Sequence, residues 1–300
     1  MLEIIASGKT LGATVTGLNL AQPLADTDLT AVRHALGAHG VLRFPRQQLT
    51  AQQLVDFSAR FGKLEINVAN SYQEPGLPQI MILSNILDNG KPIGLSDAGQ
   101  SWHTDMSYSK TIAFANVLYG IKIPHRNGQT LGNTEFCNMH AAYDGLPEDL
   151  RKTIEGRRAV FDSEAYFMSR MSRTPKDPIT GDYSEDVKKR MTQRSQNVVQ
   201  HHDMVKVHPR TGRKSIYFSE EAISHIEGMS VEESAAVLEA VRAHVLRPEY
   251  VYRHRWAVGD LVMWDNISCL HKAIGDFDLP LHRTMHRTTL ASLVPNKAAA

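Results

Sequence analysis

Apolar and polar residues alternate through "GATVTGLNL" (12–20), a period of two that predicts a strand. The pattern then lengthens. "DTDLTAVRHALGAHG" (26–40) reads as a helix, with Asp26 or Thr27 as its cap and Gly40 as its stop. "VLRFP" (41–45) reads as a short buried strand, and "TAQQLVDFSARFG" (50–62) as a second helix capped by Thr50 and ended by Gly62. Strand patterns dominate from there: 79–85, 111–123, 214–219, 249–258, 260–265 and 283–293. Two further helices are expected, near 147–156 and over 230–247, the latter with Ser230 and Glu233 spaced as a capping box. Strands scattered among separated helices predict an antiparallel sandwich or barrel decorated by helices rather than a doubly wound sheet. Neither common Gly-rich nucleotide loop is present.

Residues 168–197 break the pattern, being charged and poor in large apolar side chains. They read either as a solvated surface excursion or as a lid over a pocket, the lid spanning 162–200. The last residues, 295–300, read as a frayed tail.

Composition narrows the function classes. A chain of 300 residues with 42% hydrophobic content can bury a core without staples, here as one domain over 1–300. A net charge of +1 gives no basis for binding nucleic acid or an anionic membrane. No apolar run approaches the roughly 20 residues that cross a bilayer, and the N-terminus lacks a signal-peptide pattern. Two widely separated cysteines, Cys137 and Cys269, imply no disulfide framework. A soluble cytoplasmic protein is expected.

Candidate chemistry centres on a His-x-Asp pair that occurs twice: His103–Asp105 in "QSWHTDMSYSK" and His201–Asp203 in "VQHHDMVK". On a strand, residues i and i+2 share a face, so either pair could offer an imidazole and a carboxylate to one ion. Two histidines and one carboxylate form the set that leaves open positions on non-haem iron(II). With 14 histidines in the chain, the pair alone does not separate a metal site from ordinary polar residues.

The surroundings of the first copy do. "WHTD" resembles the first metal motif of the taurine/2,4-D dioxygenase family, and "PHRNGQTLGNTEF" places Thr130 at the spacing of that family's 2-oxoglutarate threonine. "VGDLVMWDNISCLHKAIGDFDLPLHRTMHRTTL" then supplies "WDN", His271, Arg283 and Arg287 in the family's order. The resemblance runs from about residue 10 to 293. It implies an iron(II)- and 2-oxoglutarate-dependent dioxygenase on a double-stranded β-helix (jelly-roll, cupin-like) core, usually dimeric or tetrameric. His103, Asp105 and His271 are then implied as the iron ligands, Thr130 and Arg283 as holding 2-oxoglutarate, and Arg287 as binding the substrate anion. An arginine facing the interior needs an anionic partner, and its planar fork suits a carboxylate.

By the same resemblance, 2-oxoglutarate and O2 are consumed and a C–H bond beside a heteroatom is hydroxylated, giving succinate and CO2. Retention of Asp105 favours hydroxylation over halogenation. Taurine-using relatives carry a histidine and a tyrosine where this chain has Asn67 and Asn70, and an asparagine where it has Gly99. "EYVYRHRWAVGDLVMWDN" is closer to the aryloxyalkanoate branch, and "LPLHRTMHRTTL" to the taurine branch. The expected substrate is a small organic anion: an aryloxyalkanoate, sulfonate or alkyl sulfate. Two other readings use the same residues. One is a zinc hydrolase with a metal-bound water, and the other a non-catalytic anion-binding β-barrel.

Overall fold

The computed structural model describes residues 1–66, 72–109, 112–162, 199–220 and 222–293. Its centre is a nine-stranded sheet. Eight strands run in the order Glu3–Ala6, Ala13–Thr16, Val41–Phe44, Leu261–Asp265, Ala115–Lys122, Thr284–Leu293, Leu77–Ser84 and Gln73–Glu74, while Gly62–Leu64 pairs with Thr284–Leu293. Of the strand pairs in this sheet, only Ala13–Thr16 with Val41–Phe44 is parallel. A smaller antiparallel sheet orders Val251–His254, Thr134–Asn138 and Cys269–Ala273.

Both faces of the large sheet are covered, so its central strands read as unbroken apolar runs rather than alternations. Val117, Tyr119, Leu261, Met263 and Leu290 pack with Val32, Leu36, Leu54 and Phe57 of helices Asp26–His39 and Ala51–Ala59. Their neighbours Leu118, Val262, Trp264, Met81 and Met285 point the other way and meet Phe136 and Cys269 of the small sheet. A third cluster backs the small sheet, where Cys137 and Leu270 meet Met139, Val241 and Val245. The space between the two sheets is where inward-facing polar residues converge.

Several expectations shift. The first helix is capped by Ala25 with no side-chain bond, not by Asp26 or Thr27; Asp26 and Asp28 instead sit in its first turn, where an acid suits the helix dipole. Thr50 does cap the second helix, but that helix ends at Ala59 and Gly62 opens a strand. A short helix, Met139–Asp144, was not expected; Asn138 caps it by accepting from the Ala141 N–H. The Ser230–Glu233 capping box is present on helix Val231–Val245. The expected strand placement of His103 and Asp105 is also corrected: His103 makes an isolated bridge, and Asp105 opens a turn. Among the described residues, no helix is long and apolar enough to cross a membrane. Asn67, Asn70, nearly all of the expected lid 162–200 and the tail 295–300 lie outside them.

Candidate metal centre

The centre begins with a backbone pairing. His103 N–H donates to the His271 carbonyl at 3.1 Å and His271 N–H to the His103 carbonyl at 2.9 Å, which sets the two rings 4.1 Å apart between centroids. The chain then turns instead of continuing as a strand; Met106, with φ of +57°, marks the reversal. The turn carries Asp105 back to both rings. Its Oδ1 lies 3.5 Å from His103 Nε2 and its Oδ2 3.6 Å from His271 Nε2. All three ligand atoms fall within 4.8 Å of one another.

The surroundings prepare these groups as ligands. His103 Nδ1 is 2.8 Å from the Ser101 carbonyl, so Nδ1 carries the proton and Nε2 keeps its lone pair. A Cβ on Gly99 would sit 2.9 Å from His103 Cε1, so only glycine lets the backbone pass this close to the ring. The His271 ring packs on Trp264, 4.8 Å between centroids. Burial first, then the neighbouring His103, hold its pKa well below the usual imidazole value, which keeps it neutral. Burial resists ionisation of Asp105, but the Arg287 charge and the His103 hydrogen bond prevail and hold its carboxyl well below the usual range. Imidazole nitrogens beside a carboxylate form a donor set that fits iron(II).

Strand Thr284–Leu293 and the residue before it supply the inward arginines. Period-two alternation puts Arg283, Met285, Arg287 and Thr289 on the face toward the small sheet; the buried Met285 packs there, and Thr289 hydrogen-bonds the buried Asn116. Arg287 Nη1 lies 3.0 Å from Asp105 Oδ2, and its Nη2 3.3 Å from Met81 Sδ. Arg283 is buried, and desolvation pushes its pKa down to about 10 against the opposing charge of Asp276. Its Nε has no hydrogen-bond partner among the described residues. Gly132 packs directly on this side chain: an added Cβ would lie 2.9 Å from both Arg283 Cδ and Phe277 Cε1. Thr130 is two residues away, on a short hairpin, with its hydroxyl 3.3 Å from His125 Nε2.

The second His-x-Asp pair is not part of this centre. His201 and Asp203 lie on strand Val199–Asp203 with exposed side chains, and His201 pairs with Glu227.

Sequence reasoning missed the residues behind the carboxylate. Asn116 Nδ2 donates to Asp105 Oδ2 at 2.7 Å, and Asn266 and Thr289 complete its contacts. A lone asparagine inside the apolar run "TIAFANVLYG" was the available signal. Tyr217 was missed as well: it is buried among Phe161 and His202, its hydroxyl has no partner among the described residues, and burial together with the Asp105 charge raises its pKa.

Known proteins share this architecture and much of the sequence. The chain is 33% identical over 290 residues to the alpha-ketoglutarate-dependent 2,4-dichlorophenoxyacetate dioxygenase of Cupriavidus pinatubonensis, covering 92% of this chain and 93% of that one. It is 30% identical over 289 residues to an alkylsulfatase of Acinetobacter baylyi, covering 96% and 84%. Among solved structures it resembles a taurine dioxygenase from Burkholderia xenovorans, with a TM-score of 0.76, 29% identity and coverage of 96% and 89%. Residues 3–289 match the family described as taurine catabolism dioxygenase TauD, TfdA family. With that match added to the triad, the chain belongs to the TauD/TfdA family and is an iron(II)- and 2-oxoglutarate-dependent dioxygenase.

Proposed function

We propose that the enzyme hydroxylates a small organic anion next to a heteroatom, with an aryloxyalkanoate, a sulfonate or an alkyl sulfate as the substrate class. His103, Asp105 and His271 would hold the iron, Arg283 and Thr130 the far carboxylate of 2-oxoglutarate, and Arg287 the substrate anion. Bound iron, with 2-oxoglutarate and O2, supplies the oxidant for C–H cleavage and yields succinate and CO2. The protein supplies the placement. His103 offers Nε2 because Ser101 occupies its other nitrogen. Buried aromatic walls at Trp264 and Phe136 exclude water from the ligand cluster.

The observation that carries this reading is the shared face of Arg283 and Arg287. One guanidinium stands beside the triad, and the other is buried with an unsatisfied Nε. A buried guanidinium with an unsatisfied N–H is costly, so Arg283 argues for an anionic ligand with a carboxylate to match its fork. A zinc hydrolase has no use for that second anion pocket, and a non-catalytic barrel has none for the converging triad.

Opposed sheets joined by mostly antiparallel pairing support a double-stranded β-helix core, within one domain over 1–300. Asn67 and Asn70 would contact substrate, and 162–200 would close over it. Unpaired, buried Cys137 and Cys269 suit a reducing cytoplasm. A dimer or tetramer is the family expectation, which light scattering tests.

The central test is anaerobic addition of iron(II) and 2-oxoglutarate, watched for the weak visible band of the chelate. A panel of aryloxyacetates, sulfonates and alkyl sulfates is then scored by succinate release. A band that survives Asp105→Ala and Arg283→Ala unchanged sinks the assignment. Arg287→Ala is expected to abolish substrate-coupled turnover while leaving slow uncoupled 2-oxoglutarate decay; equal loss of both would remove Arg287 from the substrate site.

A further inference from the structure

Asp105 has two oxygens and a choice of which to present. Oδ1 faces His103 Nε2 at 3.5 Å and takes only the longer arm of Arg287 Nη1, at 3.3 Å, whereas Oδ2, 3.6 Å from His271 Nε2, accepts from Asn116 Nδ2 at 2.7 Å and from Arg287 Nη1 at 3.0 Å. Asn116 is completely buried in the strand Ala115–Lys122, and every polar atom of its side chain is engaged. Its second amide proton reaches Asn266 Oδ1 at 3.2 Å, and its Oδ1 accepts from the Thr289 hydroxyl at 2.7 Å.

The chemistry of the neighbours fixes the direction of this amide. Trp264 Nε1 can only donate, and it donates to Asn266 Oδ1 at 3.0 Å. Asn266 Oδ1 is therefore an acceptor and must meet the nitrogen of Asn116. A flipped Asn116 would put its own oxygen 2.7 Å from a carboxylate oxygen, two acceptors face to face. Trp264 also packs on His271, so the chain Trp264–Asn266–Asn116–Asp105 ties together two members of the triad that come from different elements.

We infer that Asn116 is a positioning residue that occupies Asp105 Oδ2 and so commits Oδ1 to the metal as a single-oxygen ligand. The inference rests on the iron-site reading above. Arg287 cannot fill this role through a turnover in which it engages the substrate anion, because its fork then turns to that anion. A neutral amide that never leaves the carboxylate can. Thr289 matters only through Asn116, and its hydroxyl keeps the amide from rotating.

The test uses the full chain as wild type, Asn116→Ala, Thr289→Val and Thr289→Ser, each checked for cooperative melting. Metal affinity is read from free manganese(II) by electron paramagnetic resonance during anaerobic titration. Outer-shell partners of metal ligands typically contribute about 10–100-fold in affinity. Asn116→Ala should therefore weaken manganese binding by about that factor and shift the iron(II)–2-oxoglutarate band. Thr289→Val should weaken it less, in the same direction, while Thr289→Ser keeps the hydroxyl and stays near wild type. Wild-type affinity in a folded Asn116→Ala overturns the inference alone. Should that variant not fold, Thr289→Val decides, and its equality with Thr289→Ser overturns the inference. Absence of manganese binding and of the band in wild type takes down the iron-site reading and this inference together.

Discussion

The two His-x-Asp pairs are a comparison set up within a single chain. His201 and Asp203 sit on a regular strand, share a face as the period of two dictates, and meet solvent. His103 and Asp105 abandon that period at Met106, and for that reason the carboxylate reaches a histidine from a distant strand. A regular strand gives two ligands and a surface. A turn imposed on the same residue pattern gives two ligands, a third across the gap, and an interior with low solvent access, where charge interactions are strong.

The largest expected difference between the pairs is in metal binding. Asp105→Ala should reduce succinate formation by more than about 100-fold, beyond the range of outer-shell changes, and abolish the chelate band, while Asp203→Ala keeps both. Next comes the pocket proposed for 2-oxoglutarate. Arg283→Ala should raise KM for 2-oxoglutarate by about 150-fold, the equivalent of about 3 kcal/mol for a buried charged pair. Gly132→Ala should push in the same direction by about tenfold, about 1.4 kcal/mol of misplacement of the same side chain; a KM unchanged in steady-state assays would separate Gly132 from Arg283.

A smaller effect is pH-dependent and sharpens the contrast within one strand. Between the exposed His201 and Asp203, His202 turns inward and donates from Nε2 to the Ser107 carbonyl at 2.8 Å. Burial first, then Lys206, push its pKa down to about 4. The folded state thus keeps this histidine neutral, while the unfolded chain binds its proton near pH 6.5. Stability from this residue is complete above about pH 6.5 and is lost as pH falls toward 4. Thermal melts across that window should fall less steeply for His202→Gln than for wild type; parallel curves would reject the assignment. The smallest effect belongs to His201→Ala, expected within about 0.5 kcal/mol of wild-type stability because it is a surface change, with turnover retained in the succinate assay.

The legible parts of the chain were those set by period and spacing. Strand Leu261–Asp265 and helix Val231–Val245 fall where the apolar pattern and the capping box put them. The triad was legible through the order of its residues along the chain, because the family resemblance supplied what a pair of letters lacks. Asp105 at a turn was not, since "HTDMSY" carries no glycine or proline to announce the reversal and the strain falls on Met106. Asn116 was obscured by the apolar run around it, because a buried polar residue is explained only by its partners, and those come from residues 105, 266 and 289. Ala25 as a cap escaped for a local reason: Asp26 and Thr27 after it have side chains suited to capping but lie within the first turn.

Strand Thr284–Leu293 has a consequence for assembly of the fold. Arg287 sits opposite Leu118 and Met81 in the sheet, and the next residue, Thr288, reaches the other way to Ser58 at 2.7 Å. A slip of one residue would reverse the whole strand, driving two guanidinium groups into the layer of Leu54 and Phe57 and turning Leu290 toward the carboxylate. Each such mispairing buries cations among hydrocarbon with nothing to neutralise them. The side chains proposed to recognise anions therefore also act as the key that fits this strand into its lock, because the slipped register leaves their charges without a counter-charge.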